Sequence, residues 1–329
     1  MLLEVKNLEV NFNSYRGEVK AVRGVSFSVN EQETLAIVGE SGSGKSVIAN
    51  TIMKLLPGDT TKINKNSSII FKNENLLDKS EKEMQKIRGL KIGMVFQDPM
   101  TSLNPTMKIG EQIAESYRFH KGASKKESYK KALELLELVH INNPEQRMNQ
   151  YPHELSGGMR QRVMIAISLV CEPDLLIADE PTTALDVTIQ AQIIDLILEL
   201  KQKLKMSVII ITHDLAVVSN IADKVIVMYG GKIMEEGTVK EIFNNPKHPY
   251  TLALLKSIPH LDIGSDKELF SIEGTPPDLI EDIKGCPFFE RCPYALPKCK
   301  EIFPKAFKVE EKHDSYCWLN EADEKKSKE

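Results

Sequence analysis

No stretch of this chain approaches the roughly 18 consecutive apolar residues that a membrane-spanning helix needs. The opening Met1-Leu-Leu-Glu-Val-Lys6 carries a charge of each sign where a leader would carry an apolar block. The sequence therefore predicts neither an integral membrane protein nor an exported one. An excess of basic charge is also missing, since the formal net charge is −4. Phosphate-backbone binding leaves a basic footprint, so nucleic acid is not an expected partner. Internal repeats are absent, and so are the C-x2-C pairs of zinc ribbons. What remains is 329 residues with 41% apolar side chains, enough for roughly one large or two modest domains with a real core.

The apolar residues fall into two textures. Val25-Ser-Phe27-Ser-Val29 alternates with period two, as in a half-buried antiparallel strand. Thr34–Val38, Leu175–Ala178, Val208–Ile211 and Val225–Met228 are short continuous runs ended by Gly, Asp or Thr, which suits central strands of a parallel sheet covered on both faces. Between them, Tyr129, Ala132, Leu133, Leu136 and Val139 recur at helical steps, and 183–205 reads as a second long helix. Sheet-forming segments thin out after about residue 235, where prolines at 246, 249, 259, 276 and 277 change the texture. The charged run Glu321 to Glu329 predicts a frayed tail. The expected division is a large α/β domain over about 1–255 and a small Cys-bearing extension over 256–329.

Directly after Val38 comes Gly39-Glu-Ser-Gly-Ser-Gly44-Lys45-Ser46, a G-x-x-x-x-G-K-[ST] phosphate loop between a strand and a helix. Its glycines let backbone N–H groups turn toward phosphate oxygens, and the following helix points its positive end at them. Lys45 is placed to reach the β- and γ-phosphates, and the Ser46 hydroxyl to coordinate Mg²⁺. Asp179-Glu180 ends the run Leu175–Ala178, where open α/β sheets bind ligands. Asp179 then serves Mg²⁺, and Glu180 accepts a proton from the water that attacks the γ-phosphate. His213, after the Val208–Ile211 run, is expected at the γ-phosphate. Gln97, in the loop after Gly93-Met-Val-Phe96, is a neutral amide suited to Mg²⁺ or the attacking water. Leu155-Ser156-Gly157-Gly158-Met159 opens an apolar helix with a serine and two glycines, a second N–H-rich cradle. One nucleotide does not need two cradles. A second is explained if it caps the γ-phosphate held by a partner subunit.

With these parts in this order, and with the Ala184-Leu185-Asp186 turn, the chain resembles the ATP-binding subunits of ABC transporters over roughly residues 1–255. Phe96-Gln-Asp-Pro-Met-Thr-Ser-Leu-Asn-Pro105, Tyr151-Pro-His-Glu154 and His248-Pro-Tyr250 narrow the resemblance to the dipeptide and oligopeptide importer ATPases; nickel importers are similar. The resemblance implies an α/β P-loop NTPase: a RecA-like core with an antiparallel β subdomain and a helical subdomain at about 98–170, plus the small Cys-containing extension. It implies contacts to ATP at Gly39, Glu40, Ser41, Gly42, Ser43, Gly44, Lys45, Ser46, Val47, Ser156, Gly157, Gly158 and Asp186, with Phe12 or Tyr15 stacking on adenine. It also implies a head-to-tail second ATP-binding subunit, two membrane-spanning permease subunits, an extracytoplasmic solute-binding protein and a peripheral place on the cytoplasmic face of the membrane. A soluble ABC-type ATPase is the alternative from another class, but the long coiled-coil insert or second nucleotide domain usual there is missing.

Cys286, Cys292, Cys299 and Cys317 follow C-x5-C-x6-C-x17-C spacing. Such cysteines recur in peptide-importer ATPase tails, where some members carry an iron–sulfur cluster. A [4Fe–4S] cluster takes four thiolates and tolerates loose spacing. A Cys₄ zinc site and plain thiols are the other readings, and a redox-sensing role could coexist with transport. Cys171, after the apolar helix, reads as a small core residue.

Overall fold

A computed structural model describes residues 1–98, 102–183, 185–258 and 271–321. The sequence readings at 99–101, Ala184, Pro259 and 322–329 lie outside the described residues. The chain forms two compact units. One comprises Met1–Val29, Leu35–Leu77 and Thr212–Glu329, the other Asn30–Thr34 and Asp78–Ile211. The Cys-bearing segment is part of the first unit, so the expected boundary at 255 does not coincide with a unit boundary.

In the first unit, Leu3–Ser14 and Gly17–Val29 form a long antiparallel hairpin, in register from Leu3 opposite Val29 to Ser14 opposite Gly17. The period-two pattern at 25–29 buries Val25, Phe27 and Val29 on one face. Thr61–Ile63 and Ser68–Phe71 pair with Leu3–Ser14 on its other side. A second layer holds Thr34–Val38, whose residues 35–38 run parallel to 224–227 of Lys224–Tyr229. The strand is buried at every position, the reason its sequence is a continuous apolar run. Lys232–Thr238 returns antiparallel.

Past residue 238 the chain still makes strand. Phe307–Glu310 pairs with His313–Ser315, which joins Lys232–Thr238 at Glu235 and Glu236. Phe307–Glu310 alternates apolar and polar residues over only four positions, and His313–Ser315 is three polar residues, so neither is long or apolar enough to stand out as a strand in the sequence. Upstream of them, residues 278–283 lie along the strand Gly17–Val29. The Lys20 N–H donates to Leu279 O at 2.9 Å, the Lys20 ammonium meets Asp282 at 2.7 Å, and Arg23 donates to Leu279 O and Glu281 O.

The second unit is built on parallel strands Ile92–Val95, Leu175–Asp179 and Ser207–Thr212. Gly93 is required at the first: a Cβ there would lie 2.4 Å from Ser168 O. Helices Ile109–Lys121, Lys125–Leu138 and Gly157–Leu169 fall in the expected helical stretch. The predicted face of Lys125–Leu138 shifts slightly. Ser128, Ala132, Leu135, Leu136 and Val139 are buried, while Tyr129 reaches the Glu111 carboxylate with its hydroxyl. Val187–Leu204 is the predicted second long helix, and Asp186 caps it. Cys171 is buried with its thiol toward Ser116 O, as expected of a core thiol. No helix among the described residues is long and apolar enough to cross a membrane.

Candidate functional site

The phosphate loop turns between the strand Thr34–Val38 and the helix Lys45–Ile52. Gly39, Gly42 and Gly44 have φ of 151°, 78° and 98°, a region L side chains rarely enter. Two of them are fixed by space as well. A Cβ on Gly39 would lie 2.1 Å from Met228 O, and one on Gly44 2.4 Å from Ala21 O. Lys45 is 4% exposed and bridges the loop's own carbonyls, donating to Gly39 O at 2.8 Å and Glu40 O at 2.9 Å. The loop is thus closed by its own lysine ammonium.

Two contacts from elsewhere in the first unit complete it. The Tyr250 hydroxyl accepts from the Glu40 N–H at 3.0 Å. Arg291 Nη1 donates to both Glu40 carboxylate oxygens, at 3.0 and 2.8 Å. Sequence reasoning missed both residues as parts of this loop. Tyr250 lies in the quoted His-Pro-Tyr, and Arg291 immediately precedes Cys292, so the signal was present but its target was not legible. Of the two aromatic candidates for adenine, Phe12 is partly buried within the strand Leu3–Ser14, opposite Val19 and Thr61. Tyr15 is 98% exposed in the hairpin turn. His213 is an exposed residue of the same unit, and the next residue, Asp214, caps the helix Leu215–Ile221 through Oδ1.

In the second unit the strand Leu175–Asp179 delivers two carboxylates in opposite ways. Asp179 is still in the strand and 4% exposed. Glu180 keeps the ladder with its N–H donating to Ile211 O at 2.9 Å, then turns into the left-handed region at φ 46°. That conformation costs a non-glycine residue of order 1–3 kcal/mol. Its carboxylate Oε2 accepts from Gln97 Nε2 at 2.8 Å and from the Thr183 hydroxyl at 2.9 Å. Gln97 and Glu180, 83 residues apart, are therefore neighbours. Thr183 was missed because a hydroxyl three residues beyond a carboxylate has no distinctive spacing.

The second cradle is open to solvent. Ser156 caps the helix Gly157–Leu169, accepting from the Met159 N–H, and both Ser156 and Gly157 are exposed. Gly158 also serves local packing, since a Cβ there would lie 2.9 Å from Ile189 Cγ2. Asp186 is exposed and accepts from the Ile189 N–H at 3.0 Å, so a cap is its role within the chain.

The four C-terminal cysteines line one cavity, walled also by His248, Phe289, Tyr316 and Trp318. All four are free thiols. Burial, joined by the nearness of the other three sulfurs, pushes Cys286 up to about 12. The same two causes push Cys317 up to about 11 and raise Cys292. His248 adds a donor. Its Nδ1 accepts from the Tyr250 N–H at 3.0 Å, which puts the neutral ring's proton on Nε2, and Nε2 is buried with no hydrogen-bond partner. Among the described residues no three or more His, Cys, Asp or Glu side chains are gathered closely enough to hold a single ion.

A phosphate loop alone defines only a P-loop nucleotide-binding protein; the exposed second cradle on a separate helix points to the ATP-binding-cassette class of ATPase. Residues 22–183 match the family model for the ABC transporter, and residues 234–299 match that for the oligopeptide/dipeptide transporter C-terminal region. The chain is 57% identical over 318 residues to the oligopeptide transport ATP-binding protein OppD of Bacillus subtilis, covering 97% of this chain and 88% of that one. It is 53% identical over 320 residues to the dipeptide transport ATP-binding protein DppD of the same organism, covering 97% and 95%. Among solved structures, the dimeric ATP-binding cassette MJ0796 bound to ADP and Pi in a post-hydrolysis state matches at 31% identity and a TM-score of 0.65, over 72% of this chain and 99% of that one. The chain belongs to the ATP-binding subunits of ABC transporters, in the oligopeptide and dipeptide group, and is an ATPase.

Proposed function

We propose that this chain is the ATP-hydrolysing subunit of an importer for dipeptides and oligopeptides. It works with a second ATP-binding subunit, two membrane-spanning permease subunits and an extracytoplasmic solute-binding protein, from the cytoplasmic face of the membrane. The observation that carries the reading is the exposed Ser156–Gly157 helix start, a second anion cradle beside the one at 39–46 in the same chain, which one nucleotide does not need. In a head-to-tail pair it receives the γ-phosphate of ATP held by the partner. Peptide rather than nickel is the cargo because the relatives above are named for oligopeptide and dipeptide transport. The test is ATP hydrolysis and uptake by the full complex in proteoliposomes. Peptide-loaded binding protein stimulates both; stimulation by nickel alone overturns the cargo.

In the hydrolytic step the phosphate loop N–H groups and Lys45 hold the β- and γ-phosphates. Ser46 would offer its hydroxyl and Asp179 its carboxylate to the Mg²⁺ that enters with ATP, and the ion would offset the charge on the phosphate oxygens. A water oxygen forms a bond to the γ-phosphorus while the bond to the β,γ-bridging oxygen breaks, giving ADP and phosphate, and the water's proton passes to Glu180. Gln97 and Thr183 hold that carboxylate by its Oε2. His213 contacts the γ-phosphate from the other strand end.

The cysteine cavity holds a [4Fe–4S] cluster. Two observations support this: four thiols line one space, and the His248 Nε2–H in its wall is buried with no hydrogen-bond partner among the described residues. Thiols spread round a cavity suit a cluster better than a zinc ion, which draws four sulfurs to one point. Bound there, the cluster supplies a cationic centre to the thiolates and a one-electron redox couple.

A further inference from the structure

Glu40 is an oddity in an anion-binding loop, a carboxylate in the second position of a cradle meant for a triphosphate. Its charge is met from a distant part of the sequence. Arg291 is 251 residues away, its side chain only 7% exposed. Every nitrogen of its guanidinium is engaged. Nη1 donates to both Glu40 oxygens and to the Tyr229 hydroxyl, Nε to Glu273 O, and Nη2 to Ile272 O. The plane lies 5.6 Å from the Tyr229 ring centre and 6.0 Å from that of Phe288. The fork is thus fixed by the C-terminal segment before it reaches the loop, and little freedom is lost in holding Glu40. Beside it, Tyr250 is fully buried and accepts from the Glu40 backbone N–H.

We propose that Arg291 is a positioning residue of the nucleotide site, which neutralises Glu40 and, with Tyr250, fixes the phosphate loop from the cysteine-bearing segment. The proposal rests on the reading of 39–46 as the nucleotide site. Without the guanidinium, the Glu40 charge opposes the incoming phosphates and the loop loses a buried charge-assisted tie. The segment that carries Arg291 is itself anchored, at 278–283 along the strand Gly17–Val29 and by the cavity that Cys286 and Cys292 share. Glu40 therefore connects the phosphate loop to a region that family resemblance alone treats as an appendage.

The test is nucleotide affinity of the full-length chain, read with a fluorescent ATP analogue at low and high salt. Arg291→Gln weakens binding roughly ten- to a hundred-fold, the loss of a buried hydrogen bond to a charge. Arg291→Lys restores most of it by returning the charge. Glu40→Gln placed in the Arg291→Gln background also recovers affinity, because the unopposed carboxylate is gone. A merely structural arginine gives the opposite pattern, with the double variant no better than Arg291→Gln. Wild-type affinity in Arg291→Gln, or no recovery in the double variant, overturns the proposal. If Arg291→Gln fails to fold, the Arg291→Lys affinity decides. Lysine binding within about ten-fold of wild type at low salt supports charge balance; a larger loss refutes it. Lys45→Ala separates the underlying reading, since unchanged ATP affinity there removes the nucleotide site itself, whatever Arg291 does.

Discussion

The amide of Gln97 donates to Glu180 Oε2 at 2.8 Å, joining a loop after one parallel strand to the carboxylate at the end of the next. The amide orients the carboxylate without adding charge. A lysine at 97 would pair with Glu180 and make it a poorer proton acceptor. Removing the acceptor itself has the larger effect. Glu180→Gln lowers turnover by about 10²- to 10⁴-fold while ATP binding persists, as steady-state hydrolysis and nucleotide binding measure. Thr183→Val removes one donor and leaves that of Gln97, and it lowers kcat about two- to ten-fold. Near-normal hydrolysis in Glu180→Gln contradicts its role.

Gly158 has two reasons to be glycine, and substitution separates them. Gly158→Ala sets a methyl 2.9 Å from Ile189 Cγ2 and destabilises the protein by about 1–3 kcal/mol. Ile189→Ala in the same chain returns the thermal stability. Hydrolysis by the assembled complex stays depressed, because the methyl still crowds the cradle. Full recovery of hydrolysis together with stability makes Gly158 a packing residue only.

His248 makes stability depend on pH. Burial lowers its pKa to about 4, from an ordinary 6.5. As pH falls below 6.5 the unfolded chain takes up a proton that the folded chain refuses until about 4. Stability contributed by the neutral ring is therefore lost on acidification across that window, up to about 3 kcal/mol. His248→Asn keeps an acceptor for the Tyr250 N–H and removes the titration. Denaturant melts from pH 7 to 4.5 then show a shallower loss than wild type; equal slopes contradict the assignment.

The cysteine cavity is tested by colour and by metal analysis. Protein purified without oxygen absorbs at roughly 400 nm, and Cys292→Ser lowers both absorbance and bound iron. Colourless protein with one zinc per chain reverses the choice.

Much of this was legible in the sequence because it rests on local pattern. Continuous apolar runs marked the buried strands, and fixed glycine spacing marked the phosphate loop. Asp179 and Glu180 were readable because they end such a run. What escaped depends on tertiary reach. Arg291 looks like any charge between two cysteines until the fold sets it on Glu40. Thr183 gains meaning only when Glu180 enters the left-handed region and turns its carboxylate back. The strands Phe307–Glu310 and His313–Ser315 form where Lys232–Thr238 offers an edge to pair with, and one four-residue alternation followed by three polar residues is too short to announce them.

The central claim is that Ser156 serves a nucleotide held by another subunit. A structure of the complex carrying Glu180→Gln, with Mg²⁺ and ATP, measures it directly. The account predicts the Ser156 hydroxyl within hydrogen-bond distance of a γ-phosphate bound to the partner's phosphate loop. A closed, ATP-filled complex in which Ser156 faces only solvent or its own subunit would contradict it.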